Sequence, residues 1–183
     1  MRLFMVLLGC KPQGRHTEQH DIYFGVAKKL PAMVPEMKAF WPEAGTMHVD
    51  VWRHVAAVGE HSIKLVRNTK LEKLSLKKLY FVNLGGYKAG SMEEYHYKQL
   101  VVATTPERAA AAAKRTTFYK THISPHIDDH YGLDVDDIYA VEDLLSPEVK
   151  ANYSIEITLE KEPLKADKLH IGDLKFEDLE SKM

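Results

Sequence analysis

Two Glu-x-His pairs, Glu18/His20 and Glu94/His96, are the first places where residue type and spacing could do chemistry. Side chains two residues apart on a strand point to the same side, so each pair would aim a carboxylate and an imidazole at one spot. Such a pair can hold a metal ion, bind an anion or relay a proton. The competing reading is that each histidine braces the glycine turn of its own hairpin, because Glu-x-His lacks the tight ligand spacing of a zinc motif. A second constellation is His126-Ile127-Asp128-Asp129-His130 after Ser124-Pro125, echoed by His48-Val49-Asp50. Imidazole mixed with carboxylate in a loop suits a divalent cation or a polarised water, although an Asp-rich loop is also an ordinary solvated turn. The candidate ligand-binding set is Glu18, His20, Trp41, Glu94, His96, His126 and Asp128. If a divalent metal is the cofactor, its donors are His20, His96, His126 and Asp128.

Other motifs carry less. Asp134-Val135-Asp136-Asp137 lacks the glycine and the distant glutamate of a calcium loop. Gly9-Cys10-Lys11 and Gly85-Gly86-Tyr87 are too short to cradle phosphate, and each precedes a strand rather than a helix N-terminus. Cys10 has His16 and His20 nearby in sequence, but a lone cysteine is usually a small apolar residue. Trp41, Trp52 and Phe40 read as core or interface anchors, with stacking on a ligand as the less common role.

The elements that must position these residues are repeated. Leu3-Phe4-Met5-Val6-Leu7-Leu8-Gly9 returns as Leu79-Tyr80-Phe81-Val82-Asn83-Leu84-Gly85 at a shift of 76, which also pairs Gly14 with Gly90, Glu18 with Glu94 and His20 with His96. Further on, His48-Val49-Asp50 faces His126-Ile127-Asp128 and Ser62-Ile63-Lys64-Leu65 faces Ser154-Ile155-Glu156-Ile157, so the second copy carries an insertion around its acidic loop. The copies are residues 1–67 and 78–160, with a Lys/Leu-rich linker at 68–77 and a C-terminal extension at 161–183; the two can pack as one compact domain. Strands are expected at 2–9, 18–27, about 47–58 and 61–67, and again at 78–85, 93–103, about 136–143 and 153–159, with one more at 168–177. The glycines ending 2–9 and 78–85 are read as turn positions. Helices are expected at Lys28 to Phe40, shortened or kinked by Pro31 and Pro35, and from a capping Thr104 through the alanine run to about Tyr119. The fold class is therefore α+β: a duplicated ββαββ unit with mostly antiparallel sheets and helices packed on one face.

Composition sets the outer limits. The chain has 183 residues, a formal charge of −1 and one cysteine, Cys10. Near-neutral charge argues against a surface that tracks nucleic-acid phosphates. With one thiol there is no intrachain disulfide, and a cytoplasmic setting is expected. The apolar run at Arg2 to Leu8 is short and reads as a buried first strand, not as a signal peptide, lipid-anchor box or membrane span.

Assembled, these segments resemble a bacterial family catalogued as domain of unknown function 1543, found in one or two copies per protein. The matching residues are Val6-Leu7-Leu8-Gly9, Thr17-Glu18-Gln19-His20-Asp21, Lys38-Ala39-Phe40-Trp41-Pro42-Glu43-Ala44-Gly45, Asn83-Leu84-Gly85-Gly86-Tyr87 and His126-Ile127-Asp128-Asp129. The likeness runs from the first strand to Ile157. It implies the duplication, but no activity, substrate or catalytic residue.

Three functions compete. The leading one is a non-enzymatic module, expected as a homodimer, that binds a small ligand or partner where His20, His96, Trp41 and His126 converge. The alternative is a metal-assisted hydrolase with Glu18 or Glu94 as general base. The third, weaker reading is nucleic-acid binding through Tyr80, Phe81, Tyr95 and Tyr97 on exposed sheet faces together with the Lys70 to Lys77 linker.

Overall fold

The computed structural model describes residues 1–68, 76–127 and 138–181. Strands β1 (Arg2–Cys10) and β2 (Gln19–Ala27) form an antiparallel hairpin. A 3-10 turn at Leu30–Met33 leads into α1 (Val34–Phe40), and β3 (Met47–His54) returns antiparallel to β1. The short β4 (Ala57–Val58) and β5 (His61–Arg67) follow. The next hairpin is β6 (Lys78–Tyr87) with β7 (Glu94–Ala103), followed by α2 (Pro106–Ala113), α3 (Thr117–Thr121), β8 (Ile123–Ile127) and β9 (Ile138–Ala140). Then come α4 (Val141–Leu144), α5 (Pro147–Asn152), β10 (Tyr153–Leu159), β11 (His170–Lys175) and α6 (Phe176–Glu180).

The strands make three antiparallel sheets: β11-β3-β1-β2, then β7-β6 with β8 and β9 side by side on β6, then β10-β5-β4. The alternation along β1 shows how they stack. Phe4, Val6, Leu8 and Cys10 turn to a core with Met33, Val34 and Met37 from the α1 region and with Phe176 and Leu179 from α6. Leu3 and Met5 turn the other way, into a core with Phe24, Leu79, Phe81, Ile63 and Ile155. Tyr80, Val82 and Leu84 on the far side of β6 pack on Ala109 and Ala113 of α2. The order is thus helix, sheet, shared core, sheet, helix, and this explains the unbroken apolar runs of β1 and β6, which are covered on both faces.

Several boundaries differ from the sequence expectation, each for a local reason. Gly9 and Gly85 lie inside strands, not in turns; the turn glycines are Gly14 and Gly90, at φ +77° and +76°. Pro35 falls in the first turn of α1, where its missing N–H is harmless, so the helix starts late instead of kinking. The capping residue of α2 is Thr105, one after the expected Thr104, and it accepts from Arg108 N at 3.3 Å. The alanine helix stops early because the Thr116 hydroxyl donates back to Ala113 O at 2.9 Å and then caps α3. The strand expected at 136–143 is β9 alone, with α4 taking Val141 onward, and the last expected strand gives way to α6 at Phe176. Most of the 68–77 linker, the Asp134–Asp137 run and Asp128 lie outside the described residues.

Registers in the two hairpins correspond. Gly9 stands opposite His20 on β2 and His48 on β3, while Gly85 stands opposite His96 on β7 and His126 on β8. His126 and Ile138 stand opposite Gly85 and Val82 on β6 as His48 and Trp52 stand opposite Gly9 and Val6 on β1. In the third sheet, β5 pairs with β10 so that Lys64 faces Glu156, Ile63 faces Ile157 and Leu65 faces Ile155. These are the two segments that the sequence alignment places opposite one another, and they pair antiparallel about Lys64 and Glu156.

Burial holds the imidazoles of His54 and His61 below their usual pKa of 6.5, with Arg2 and Lys77 respectively adding to the effect. A depressed imidazole stays neutral in the fold while the unfolded chain takes up protons, so stability is full above about pH 6.5 and falls below it. Urea midpoints measured from about pH 8 to about pH 5 should fall, and His54→Gln/His61→Gln should flatten the profile. No helix among the described residues is long and apolar enough to cross a membrane.

Candidate functional site

Around Gly9 the strand register brings Glu18, His20, His48 and Asp50 together. His20 Nε2 lies 3.5 Å from Glu18 Oε2 and 3.2 Å from Asp50 Oδ2. His48 Nε2 lies 2.9 Å from Glu18 Oε1 and 3.1 Å from Asp50 Oδ1. Both carboxylates therefore bridge both imidazoles, and the four side chains close a ring. Contacts of this kind favour Nε2–H on each imidazole, leave Nδ1 as the ring acceptor when the histidine is neutral, and give a proton two carboxylates to pass through. Asp50 Oδ2 is buried, and its approach to His20 Nε2 is a charge contact without hydrogen-bond alignment.

Gly9 makes room for this cluster. A Cβ there would sit 2.5 Å from both Asp50 Oδ2 and His48 Nε2, well inside contact distance. The sequence list named Glu18 and His20 but left His48 and Asp50 as an echo of the second copy. The signal that would have found them is that echo itself, since a strand returning beside Gly9 must place His48 next to His20.

In the second hairpin Glu94 and His96 hold the positions of Glu18 and His20, and His126 holds that of His48 on the backbone. The His126 side chain and all of Asp128 lie outside the described residues. His20, Trp41 and His96, with Gln19, Asp21 and Lys98, line one open groove of about 530 Å³. Among the described residues, no group of three or more His, Cys, Asp and Glu side chains is arranged to hold a metal ion.

The remaining candidates settle into structural roles. Cys10 is buried, and burial followed by the Glu18 charge pushes its thiol pKa up, opposite to what a nucleophile needs. Trp52 stacks flat on His170 at 3.9 Å, and Phe40 meets the edge of Tyr23 at 5.5 Å. Tyr80 and Phe81 are 4% and 7% exposed, so the expected aromatic sheet face for nucleic acid does not exist at those two residues. Tyr97 stacks on Phe118, which stacks on His122 at 3.8 Å, and this column covers Gly86.

Residues 15–65 match the family described as Domain of Unknown Function (DUF1543). The resemblance read from the sequence holds over that segment, which contains Glu18, His20, Trp41, His48 and Asp50. Val6–Gly9, Asn83–Tyr87 and His126–Asp129 fall outside the DUF1543 match. Among solved structures, the chain is similar to the protein Il1583 from Idiomarina loihiensis, with TM-score 0.64, 23% identity, and coverage of 96% of this chain and 97% of that one. At that identity the likeness shows a shared fold, and its coverage includes both hairpins and the C-terminal segment. No curated protein matches the chain.

Proposed function

We propose that the chain is a small-ligand-binding module built from two copies of one unit, and that its binding site is the groove shared by the two hairpins. The observation that carries this reading is the presence of His20 and His96, equivalent residues from the two halves, on one groove flanked by Trp41. Duplicated units commonly place a site at their junction, where each copy contributes the same side chain. The shift of 76 and the midpoint pairing of β5 with β10 support the duplication. The ring of carboxylates around His20 fits a positioning role: it fixes which imidazole nitrogen carries the proton and so which hydrogen bond a ligand receives. A small polar molecule with hydrogen-bonding groups for two imidazoles and a flat face for Trp41 matches the lining.

The metal-assisted hydrolase has weaker support, because Nε2 of both His20 and His48 is taken up by Glu18 and Asp50, which leaves a metal only Nδ1 of each ring. Native mass spectrometry with elemental analysis, on protein purified without chelator, separates the two. A co-purifying organic mass that is lost in His20→Ala/His96→Ala supports the module. A stoichiometric metal lost in the same variant supports the enzyme.

A further inference from the structure

A second cleft, about 650 Å³, opens between the two sheets next to the shared core. Its walls are largely apolar, with Met5, Ile22, Trp52 and Leu100 among them, and Leu164 and Leu169 of the C-terminal segment close one side. Arg53 lines it, half-buried, on β3. Among the described residues the Arg53 guanidinium has one hydrogen-bond acceptor, the weak thioether Met5 Sδ at 3.6 Å. The carboxylate in the cleft, Asp167, acts on Arg53 through its charge, but its two oxygens accept hydrogen bonds from the amides of Ala56 and Ala57 at 3.1–3.3 Å. Gln99 also lines the cleft, and its buried Nε2 has no hydrogen-bond partner.

The imbalance has a direction. A guanidinium offers five N–H donors, of which the weak thioether takes one, and the Gln99 amide nitrogen has no partner, so donors exceed their acceptors at this point of the cleft. Buried donors without acceptors are costly, and a ligand that supplies acceptors removes that cost. The planar guanidinium fork matches a carboxylate in two-point contact, and the apolar walls match a hydrocarbon or aryl body. We infer that this cleft binds a small organic acid, with its carboxylate on Arg53 and its apolar body against Trp52 and Leu100. The cleft adjoins the His20/His96 groove at Lys98, which lines both, but its Arg53 end does not depend on that reading.

Isothermal titration calorimetry with octanoate and 4-phenylbutyrate, each beside its uncharged primary amide, tests the assignment. At least one acid binds the wild-type chain about tenfold or more tighter than its amide, as expected when a charge-assisted hydrogen bond is lost. Arg53→Met abolishes that preference, whereas Arg53→Lys keeps part of it. His20→Ala/His96→Ala binds the acid like wild type, which separates this cleft from the groove. Replacing a half-buried charge by an apolar side chain of similar length leaves the fold intact, as a denaturation curve of Arg53→Met would verify. Equal binding of acid and amide, undiminished acid binding by Arg53→Met, or no binding of either acid overturns the inference.

Discussion

Phe81→Ala is expected to remove about 3–5 kcal/mol of folding free energy, the usual cost of deleting a phenyl ring from a packed core. Phe81 is 7% exposed and sits in the core shared by the two main sheets, with its ring edge-on to Phe24 at a centroid distance of 5.6 Å. Phe24 belongs to the first hairpin and Phe81 to the second, so this contact links the halves. The layer between them is sealed by Leu3, Leu79, Ile63 and Ile155, rigid elements on paired strands that cannot collapse far into a ring-sized void. With typical domain stability of about 5–15 kcal/mol, the variant should show a large fall in urea midpoint. Phe24→Ala should cost a similar amount, and the double variant less than the sum, because an aromatic pair contributes about 0.5–1.5 kcal/mol of coupling. A loss below about 1 kcal/mol for Phe81→Ala would mean that the sheets do not pack through this layer.

The second large effect falls on the site. Gly9→Ala places a Cβ 2.5 Å from Asp50 Oδ2 and His48 Nε2. Both atoms are the ends of side chains, so the overlap is relieved by driving the imidazole and carboxylate apart while the strand stays in place. Overpacking of this kind costs about 1–3 kcal/mol. The more telling consequence is chemical: the ring through Glu18, His20, His48 and Asp50 opens, and the imidazole ¹⁵N resonances of His20 and His48 should both move. Gly14→Ala is the matched control. Gly14 has φ +77° with open space where a Cβ would go, so its cost of about 1–2 kcal/mol is backbone strain alone. That variant should lose stability and leave both imidazole signals unchanged. Unmoved signals in Gly9→Ala would show that the cluster does not depend on room at residue 9.

Much of this architecture was legible in the sequence because burial on both faces writes itself as a continuous apolar run. β1, β2, β5, β7 and β10 fall within a residue or two of where Leu, Val and Phe density placed them. What could not be read was local competition. Nothing in the alanine run announces that the Thr116 hydroxyl will take Ala113 O and split one helix into two. The glycines misled more usefully: Gly9 and Gly85 read as turns because glycine usually buys positive φ, yet Gly9 is small so that two side chains can cross it. At the site, same-strand spacing made Glu18 with His20 and Glu94 with His96 visible. His48, Asp50 and Arg53 arrive from β3, and only three-dimensional register brings a neighbouring strand's residues to the point where chemistry occurs.

The central claim is that His20 and His96 serve one ligand in one groove. The most direct measurement is a ¹H–¹⁵N NMR titration of histidine-labelled protein against a fragment library of anionic, cationic and neutral heteroaromatic compounds, with the imidazoles assigned through His20→Ala and His96→Ala. The account predicts at least one compound that shifts both imidazoles along the same saturation curve and loses that binding in either single variant. Compounds that shift His20 and His96 only on separate curves, or none that shift either, would contradict it.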